Sequence, residues 1–242
     1  MKVLLTRPNG RNQTMIEALD ERSVSYLVTP LLQVEATFVE ADKHSIKNFG
    51  QADIIIFIST NAVKYTDKAL AGNWPTTPHY YAVGEATFQS LADLGITAYK
   101  APKDCQQTEG LLTLPQLQTL TDKKIVIVRG VGGREKLALE LQARGGQVNY
   151  WEVYQRSAPQ LPAKETTQAW QQAGIDTIIV TSGEILDNLF KLVPKELFAW
   201  LRACHIIVPS SRVHEQALAY GFLRVTNAKA ANCKAVLSAL SL

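Results

Sequence analysis

The sequence has few cysteines, no block of like charge and no long apolar run. Its 242 residues include three widely spaced cysteines, Cys105, Cys204 and Cys233, with no CxxC pair, so neither a disulfide framework nor a zinc site is indicated. A formal charge of +3 without a basic stripe does not suit nucleic-acid binding. No apolar run approaches the roughly 20 residues that span a bilayer, and Met1–Pro8 has no signal-peptide core. We therefore expect a cytoplasmic protein with neither nucleic-acid nor membrane partners.

The usual catalytic signatures are also missing. No GxSxG elbow and no Walker loop occurs, and none of the four histidines stands at metal-ligand spacing. The run Arg129-Gly-Val-Gly-Gly-Arg134 resembles a dinucleotide loop, but Glu135 stands where the third glycine of GxGxxG belongs. We expect no metal and no cofactor. What remains is a binding protein, or an enzyme that steers an intrinsically reactive substrate.

Short apolar runs rich in Ile and Val alternate with stretches that have helical spacing. The runs are Val3–Leu5, Ile54–Ile58, Tyr80–Val83, Ile125–Val128, Thr177–Val180 and Ile206–Val208. Because they do not alternate with polar residues, they are typical of strands buried on both faces of a parallel sheet. Strands alternating with helices predict a doubly wound α/β fold.

The six segments that overlap these runs form three similar pairs, which follow one another in the same order in the two halves of the chain. Lys2–Arg7 resembles Lys124–Arg129, Asp53–Ser59 resembles Asp176–Ser182, and Tyr81–Thr87 corresponds to Ile206–Arg212, at offsets of 122 to 125 residues. This repetition predicts two similar lobes of the Rossmann or flavodoxin type.

Two extended, β-prone stretches predict where the chain passes from one lobe to the other. They lie at about 28–36 and 148–156 and would form a two-stranded β connection. One lobe would then be discontinuous, with residues 1–34 and 155–242, and the other would hold residues 36–150.

Candidate site residues follow the predicted strands, because open parallel sheets bind ligands beyond their strands' carboxyl ends. With two such sheets, the cleft between the lobes is the expected site. The candidates are Arg7, Pro8, Ser59, Thr60, Asn61, Gly84, Thr87, Arg129, Gly130, Arg134, Ser182, Gly183, Ser210 and Ser211. Each also has a structural interpretation: the hydroxyls would be helix N-caps, the glycines turn residues, and the arginines solvated or structural charges.

Tyr154 is a candidate outside the strand-end set. It lies in Glu152–Arg156, on the second crossing stretch and so near the expected site. Its hydroxyl could donate a proton to a leaving group, or its ring could only pack at the lobe junction. The residues alone leave both interpretations open.

With these residues assembled, the chain resembles the uroporphyrinogen-III synthase family along its whole length. The resemblance is carried by Thr6–Pro8, Phe57–Val63, Ala82–Thr87, Thr108–Leu112, Arg129–Arg134, Val153–Arg156 and Thr181–Ser182. It departs from the family at Ile58 and Thr60, which flank Ser59, and at Pro209, where glycine is common and where proline removes a backbone donor.

The resemblance implies an enzyme of tetrapyrrole biosynthesis, a cyclising hydro-lyase. Such an enzyme dehydrates linear hydroxymethylbilane and closes the macrocycle with inversion of the last ring, through a cationic azafulvene and a spiro intermediate. It also implies that Tyr154 assists departure of the hydroxyl and that hydroxyls and arginines at the strand ends bind the substrate carboxylates. We expect a monomer with transient contact to hydroxymethylbilane synthase. The alternatives are a two-lobed binding protein for a small anion and a nucleotide-sugar glycosyltransferase.

Overall fold

The computed structural model describes residues 1–37, 43–102, 104–105 and 107–242. Positions 38–42, 103 and 106, which belong to the predicted 36–150 lobe, lie outside the described residues. By its internal contacts the chain divides into two compact units. Unit 1 comprises Met1–Val34 and Ser157–Leu242, and unit 2 comprises Glu35–Arg156.

The secondary structure alternates between strand and helix in both units. From the N-terminus to the second unit run β1 (Lys2–Leu5), α1 (Gln13–Asp20), β2 (Ser25–Val28) and β3 (Gln33–Ala36). The second unit continues with α2 (Lys43–Gly50), β4 (Ile54–Phe57), α3 (Thr60–Leu70), β5 (His79–Ala82), α4 (Glu85–Ala92), β6 (Ala98–Lys100), α5 (Thr108–Leu111), a 3-10 turn (Pro115–Leu117), β7 (Lys124–Gly130), α6 (Lys136–Ala143) and β8 (Gln147–Ser157). The remainder of unit 1 holds α7 (Ala163–Gln172), β9 (Thr177–Ile179), α8 (Gly183–Leu192), a 3-10 turn (Lys195–Leu197), α9 (Phe198–Ala203), β10 (His205–Val208), α10 (Ser211–Ala219), β11 (Arg224–Asn227) and α11 (Cys233–Ala239).

The two sheets have the same strand order. Unit 1 has the order β2-β1-β9-β10-β11, with every neighbouring pair parallel. Unit 2 has β8-β7-β4-β5-β6, also parallel, with β3 added beside β8. The repeated sequence blocks therefore occupy equivalent places: β1 corresponds to β7, β9 to β4 and β10 to β5. This is the flavodoxin-like order, and the predicted fold class is confirmed.

Strand β1 shows why the apolar runs do not alternate with polar residues. Leu4 belongs to one hydrophobic cluster of unit 1, whereas Val3 and Leu5 belong to another, and all three side chains are buried. Successive residues of a strand point to opposite faces, so helices must cover both faces of this sheet. Burying each such side chain contributes roughly 1.5–3 kcal/mol to the stability of the unit.

The connection between the units differs in detail from the expectation. The stretch 28–36 is not one strand, because β2 ends at Val28 and β3 begins at Gln33. Pro30 lies between them and has no N–H for a strand ladder. Gln33 Nε2 donates to Ser157 Oγ at 3.0 Å and Thr37 N to Val153 O at 3.3 Å, so β3 runs antiparallel to β8.

Candidate functional site

The strand order places the candidate residues at one edge of each sheet. In unit 1 the order reverses between β1 and β9, and in unit 2 between β7 and β4. At the unit 1 reversal, Thr6 Oγ1 donates to Ile179 O at 2.5 Å and ties the ends of β1 and β9 together. Ligands of doubly wound sheets bind at such switch points.

Ser59 and Ser182 are matching N-caps in the two copies. Both have extended backbones, and Ser59 Oγ accepts from Ala62 N at 3.1 Å while Ser182 Oγ accepts from Ile185 N at 3.2 Å. Each cap stabilises its helix by about 1 kcal/mol. The structural interpretation of these serines therefore holds, and it leaves the serine hydrogen available for another partner.

Tyr154 contacts two of the strand-end candidates in unit 2. Its Oη lies 3.0 Å from Ser59 Oγ, and its ring stacks on Tyr65 with centroids 5.9 Å apart. The ring also covers Gly130, where an added Cβ would lie 2.6 Å from Tyr154 Cε2 and Cζ. Only 4% of Tyr154 is exposed, so its hydroxyl has little competition from water.

A β-bulge sets this position of Tyr154. Arg129 is paired with Glu152, but the next residue of β7, Gly130, is paired with Tyr154, so β8 carries one extra residue there. The bulge is held by Val131 N, which donates to Tyr154 O at 2.8 Å. Bulges bend a strand and re-aim its side chains, and they are frequent beside active sites.

The loop that follows β7 encloses Arg129. The guanidinium donates from Nε to Gly130 O at 3.2 Å and from Nη1 to Arg134 O at 3.5 Å, and only 3% of the residue is exposed. Glu152 Oε1 lies 3.9 Å from Arg129 Nε and also accepts from Gly132 N at 3.1 Å. The structure therefore shows Arg129 organising its own loop, and its role in binding substrate stays a prediction.

Position 133 of that loop requires glycine. It has φ of 104°, and an added Cβ would lie 2.6 Å from Arg129 Nη2. A side chain there would meet both a strained backbone and the enclosed guanidinium. Arg134, at the end of the loop, is exposed.

Arg7 is the repeat counterpart of Arg129 and differs from it. It is half-buried, and its guanidinium donates to Arg11 O at 3.4 Å. Burial lowers the pKa of Arg7 from its ordinary value, with Cys233 raising it and Arg11 lowering it as smaller causes. Because an arginine stays charged at neutral pH, a half-buried one favours an anionic partner. Pro8 follows it directly, where the other copy has Gly130.

The other candidates lie at helix starts. Thr60 and Asn61 form the first turn of α3, and Gly84 caps α4 with φ of 89°, a conformation that glycine adopts readily. Thr87 lies in the first turn of α4 and is 4% exposed.

Ser210 and Ser211 precede and open α10 in unit 1. Ser210 has the same extended backbone as the other two caps but makes no capping side-chain bond, and Ser211 Oγ accepts from Asn227 Nδ2 at 3.3 Å. Their hydroxyls therefore do not repeat the capping arrangement of Ser59 and Ser182.

Arg212 is a charged neighbour of this set that the candidate list omits. An added Cβ on Gly183 would lie 3.2 Å from Arg212 Nη1 and 2.7 Å from Gln216 Oε1, so α10 side chains cover the start of α8. The only sequence signal was that Arg212 ends the repeated block Ile206–Arg212.

A cavity of about 480 Å³ lies at the opposite edge of the unit 2 sheet. Its lining includes Asp53, His79, Tyr99 and Lys123, near the amino ends of β4, β5 and β7. Asp53 and Lys123 form an ion pair at 3.7 Å, so their charges largely satisfy each other. The strand-end residues, with Tyr154, remain the better candidate site.

Two absences hold for the described part of the chain. Across the described residues, no helix is long and apolar enough to cross a membrane. Nor do residues 1–37, 43–102, 104–105 and 107–242 bring together three or more His, Cys, Asp or Glu that could hold a metal ion.

Fold and site together define a two-unit α/β protein whose flavodoxin-like sheets present capping hydroxyls at their strand ends. Residues 13–238 match the family model described as "Uroporphyrinogen-III synthase HemD". The chain therefore belongs to the uroporphyrinogen-III synthase family.

Curated relatives agree along the whole chain. The chain is 32% identical over 245 residues to the uroporphyrinogen-III synthase of Salmonella typhimurium, covering 99% of this chain and 100% of that protein. It is 31% identical to the Escherichia coli enzyme with the same coverage. These relatives support the expectation of a cyclising lyase.

Solved structures agree on the fold. The uroporphyrinogen-III synthetase of Helicobacter pylori superposes with a TM-score of 0.62 at 20% identity, covering 89% of this chain and 92% of that one. A mutant synthase from Thermus thermophilus gives 0.57 at 16%, covering 100% and 99%. At these identities, the likeness supports the architecture alone.

Proposed function

We propose that this protein converts hydroxymethylbilane to uroporphyrinogen III and water, with inversion of the last pyrrole ring. Full-length similarity to two synthases supports the reaction. The structural observation that carries it is Tyr154, which the β8 bulge holds against Gly130 and Ser59 at the end of a parallel sheet.

The first step is loss of the substrate hydroxyl. The C–O bond of the hydroxymethyl group breaks as Tyr154 Oη gives its proton to the departing oxygen, which keeps the bonding pair and leaves as water. The adjacent pyrrole nitrogen supplies electrons to the carbon, and this gives a cationic azafulvene. A general acid at this step is worth roughly 10²–10⁴ in rate.

Ring closure then restores the proton to the enzyme. The azafulvene carbon bonds to the substituted position of the last ring and gives a spiro intermediate. The bond from that position to the methylene bridge of the third ring then breaks, and the freed methylene, now an azafulvene on the third ring, bonds to the unsubstituted α-carbon of the last ring, which inverts that ring. The proton lost as the pyrroles regain aromaticity returns to Tyr154. Substrate and products are at the same oxidation level, so the balance calls for no oxidant or reductant.

Control of conformation is the larger task. Unassisted, hydroxymethylbilane closes to the uninverted isomer, so the protein must hold the chain where only the inverting closure is within reach. We assign the acetate and propionate groups to helix-start N–H groups and hydroxyls at Thr60, Ser182 and Ser210, and to the half-buried Arg7.

The cellular setting belongs to the same proposal. We place the reaction in the cytoplasm and propose transient contact with hydroxymethylbilane synthase, since the substrate cyclises by itself when left in solution. We also propose that residues 1–34 with 155–242, and residues 36–150, act as separate lobes.

Isomer analysis tests the function. Hydroxymethylbilane would be generated by a coupled deaminase, and the products oxidised and separated by chromatography. We expect isomer III to dominate with the protein and isomer I without it. A trace identical to the enzyme-free control would refute the assignment, and binding of the bilane without isomer III would favour a binding protein.

A further inference from the structure

The Ser59 hydroxyl has two partners at once. Its oxygen accepts from Ala62 N at 3.1 Å and lies 3.0 Å from Tyr154 Oη. A serine hydroxyl has one hydrogen and two lone pairs, and the Ala62 bond uses a lone pair. Ser59 can therefore still give its hydrogen to the tyrosine oxygen.

We infer that Ser59 is a positioning residue for Tyr154: its hydroxyl donates to the tyrosine oxygen and so leaves the tyrosine hydrogen for the substrate. The inference rests on the proposed function and deepens it. The resulting series runs from Ala62 N–H through the hydroxyls of Ser59 and Tyr154 to the departing oxygen.

Helix α3 favours this direction. Accepting a hydrogen bond from Ala62 polarises the Ser59 hydroxyl and makes it a better donor. The N-terminus of the 11-residue helix carries positive partial charge, so the serine lone pairs face the helix and its hydrogen faces away. Once Tyr154 has given up its proton, the Ser59 hydrogen bond stabilises the phenolate.

Two neighbours of Tyr154 restrict the position of its ring. Gly130 and the stacked ring of Tyr65 both contact the tyrosine ring. Burial raises the pKa of Tyr65, with Glu35 as the second cause, so Tyr65 stays neutral at working pH.

The second copy lacks this arrangement. Ser182 caps α8 as Ser59 caps α3, but within the described residues its hydroxyl has no tyrosine partner. Pro8 stands where the unit 2 sequence has Gly130. Both units therefore have the serine cap, and among the described residues the cap of unit 2 is the one that contacts a tyrosine.

Two substitutions separate the cap from the donor. Ser59→Asp keeps a strong N-cap, because its carboxylate accepts from Ala62 N, but an ionised carboxylate only accepts and would draw the Tyr154 hydrogen to itself. We expect an unchanged unfolding midpoint and a rate of isomer III formation within about threefold of Tyr154→Phe. Ser59→Thr keeps the donor, and we expect it to stay within about threefold of the parent rate.

A double-mutant cycle supplies the decisive readout. Ser59→Ala should lower kcat about tenfold with little change in KM, yet have less than about twofold effect in the Tyr154→Phe background. Asn232→Ala removes a comparable cap, whose Oδ1 accepts from Ala235 N at 2.9 Å in α11, and should leave kcat unchanged.

The outcomes distinguish the inference from the function. Equal losses of kcat from Ser59→Ala in both backgrounds, or parent-like turnover by Ser59→Asp, would overturn the role of Ser59. The proposed function would still stand if the parent protein forms isomer III. If the parent protein itself forms no isomer III, the proposed function is refuted, and the inference about Ser59 that rests on it is refuted as well.

Discussion

Replacing Gly130 with alanine should move Tyr154 without disturbing the backbone. The φ of Gly130 is not in the left-handed region, so alanine suits the local conformation, but its Cβ would lie 2.6 Å from two ring carbons of Tyr154. Carbon atoms normally approach to about 3.5–4.0 Å, so the ring must shift by roughly 1 Å.

That shift has two consequences of different size. Overpacking of this kind costs about 1–3 kcal/mol of folding stability. The Tyr154–Ser59 separation is already 3.0 Å, and hydrogen bonds fail beyond about 3.5 Å, so the shift is enough to break the bond. Misplacing a catalytic group by about 1 Å costs on the order of 10²-fold in rate.

The measurements are urea unfolding and the rate and isomer ratio of product formation. Gly50→Ala is the matched control, because Gly50 also has no positive φ and an added Cβ there meets nothing within 4 Å. We expect the control to behave like the parent. Full activity and parent stability in Gly130→Ala would refute the contact between this glycine and Tyr154.

Three further predictions follow from the site and the core. Tyr154→Phe should lower kcat about 100-fold while changing stability by no more than about 1 kcal/mol, and unchanged kinetics would remove Tyr154 from catalysis. Arg129→Ala should lower the free energy of unfolding by about 2–3 kcal/mol, since the Gly130 and Arg134 carbonyls lose a charged donor; a parent-like urea midpoint would contradict the enclosed geometry. Burial raises the pKa of Cys204 to about 11, with Asp176 as a smaller cause, so the stability it contributes is complete below its ordinary value of 9.0 and is lost as pH rises through about 11. Unfolding measured across that range should show a steeper loss in the parent than in Cys204→Ala, and equal slopes would count against the shift.

The hydrophobic pattern determined the fold class because buried parallel strands leave an unmistakable signal. The central strands β1, β4, β5, β7, β9 and β10 were all predicted, since most residues of each are buried on both faces. The peripheral strands β2, β6 and β11 were not predicted as separate strands, because their residues are largely half-buried or exposed and their sequences lack a continuous apolar run.

The site was visible in the sequence only as a set of strand ends. The repeats fixed which residues follow corresponding strands, and family resemblance picked out Tyr154. The sequence could not show that Arg129 is enclosed by its own loop while Arg7 is half-buried. The repeat shows which positions correspond, but it does not show which residues pack around each side chain.

The sequence by itself thus determined two similar parallel α/β units and a family, through local periodicity and repetition. Only the tertiary structure decided that Ser59, Gly130 and Tyr154 meet. Their contact depends on a bulge between β7 and β8, which arises from hydrogen-bond pairing between segments distant in the chain. Such pairing is a property of the folded sheet, and no local pattern of residues specifies it.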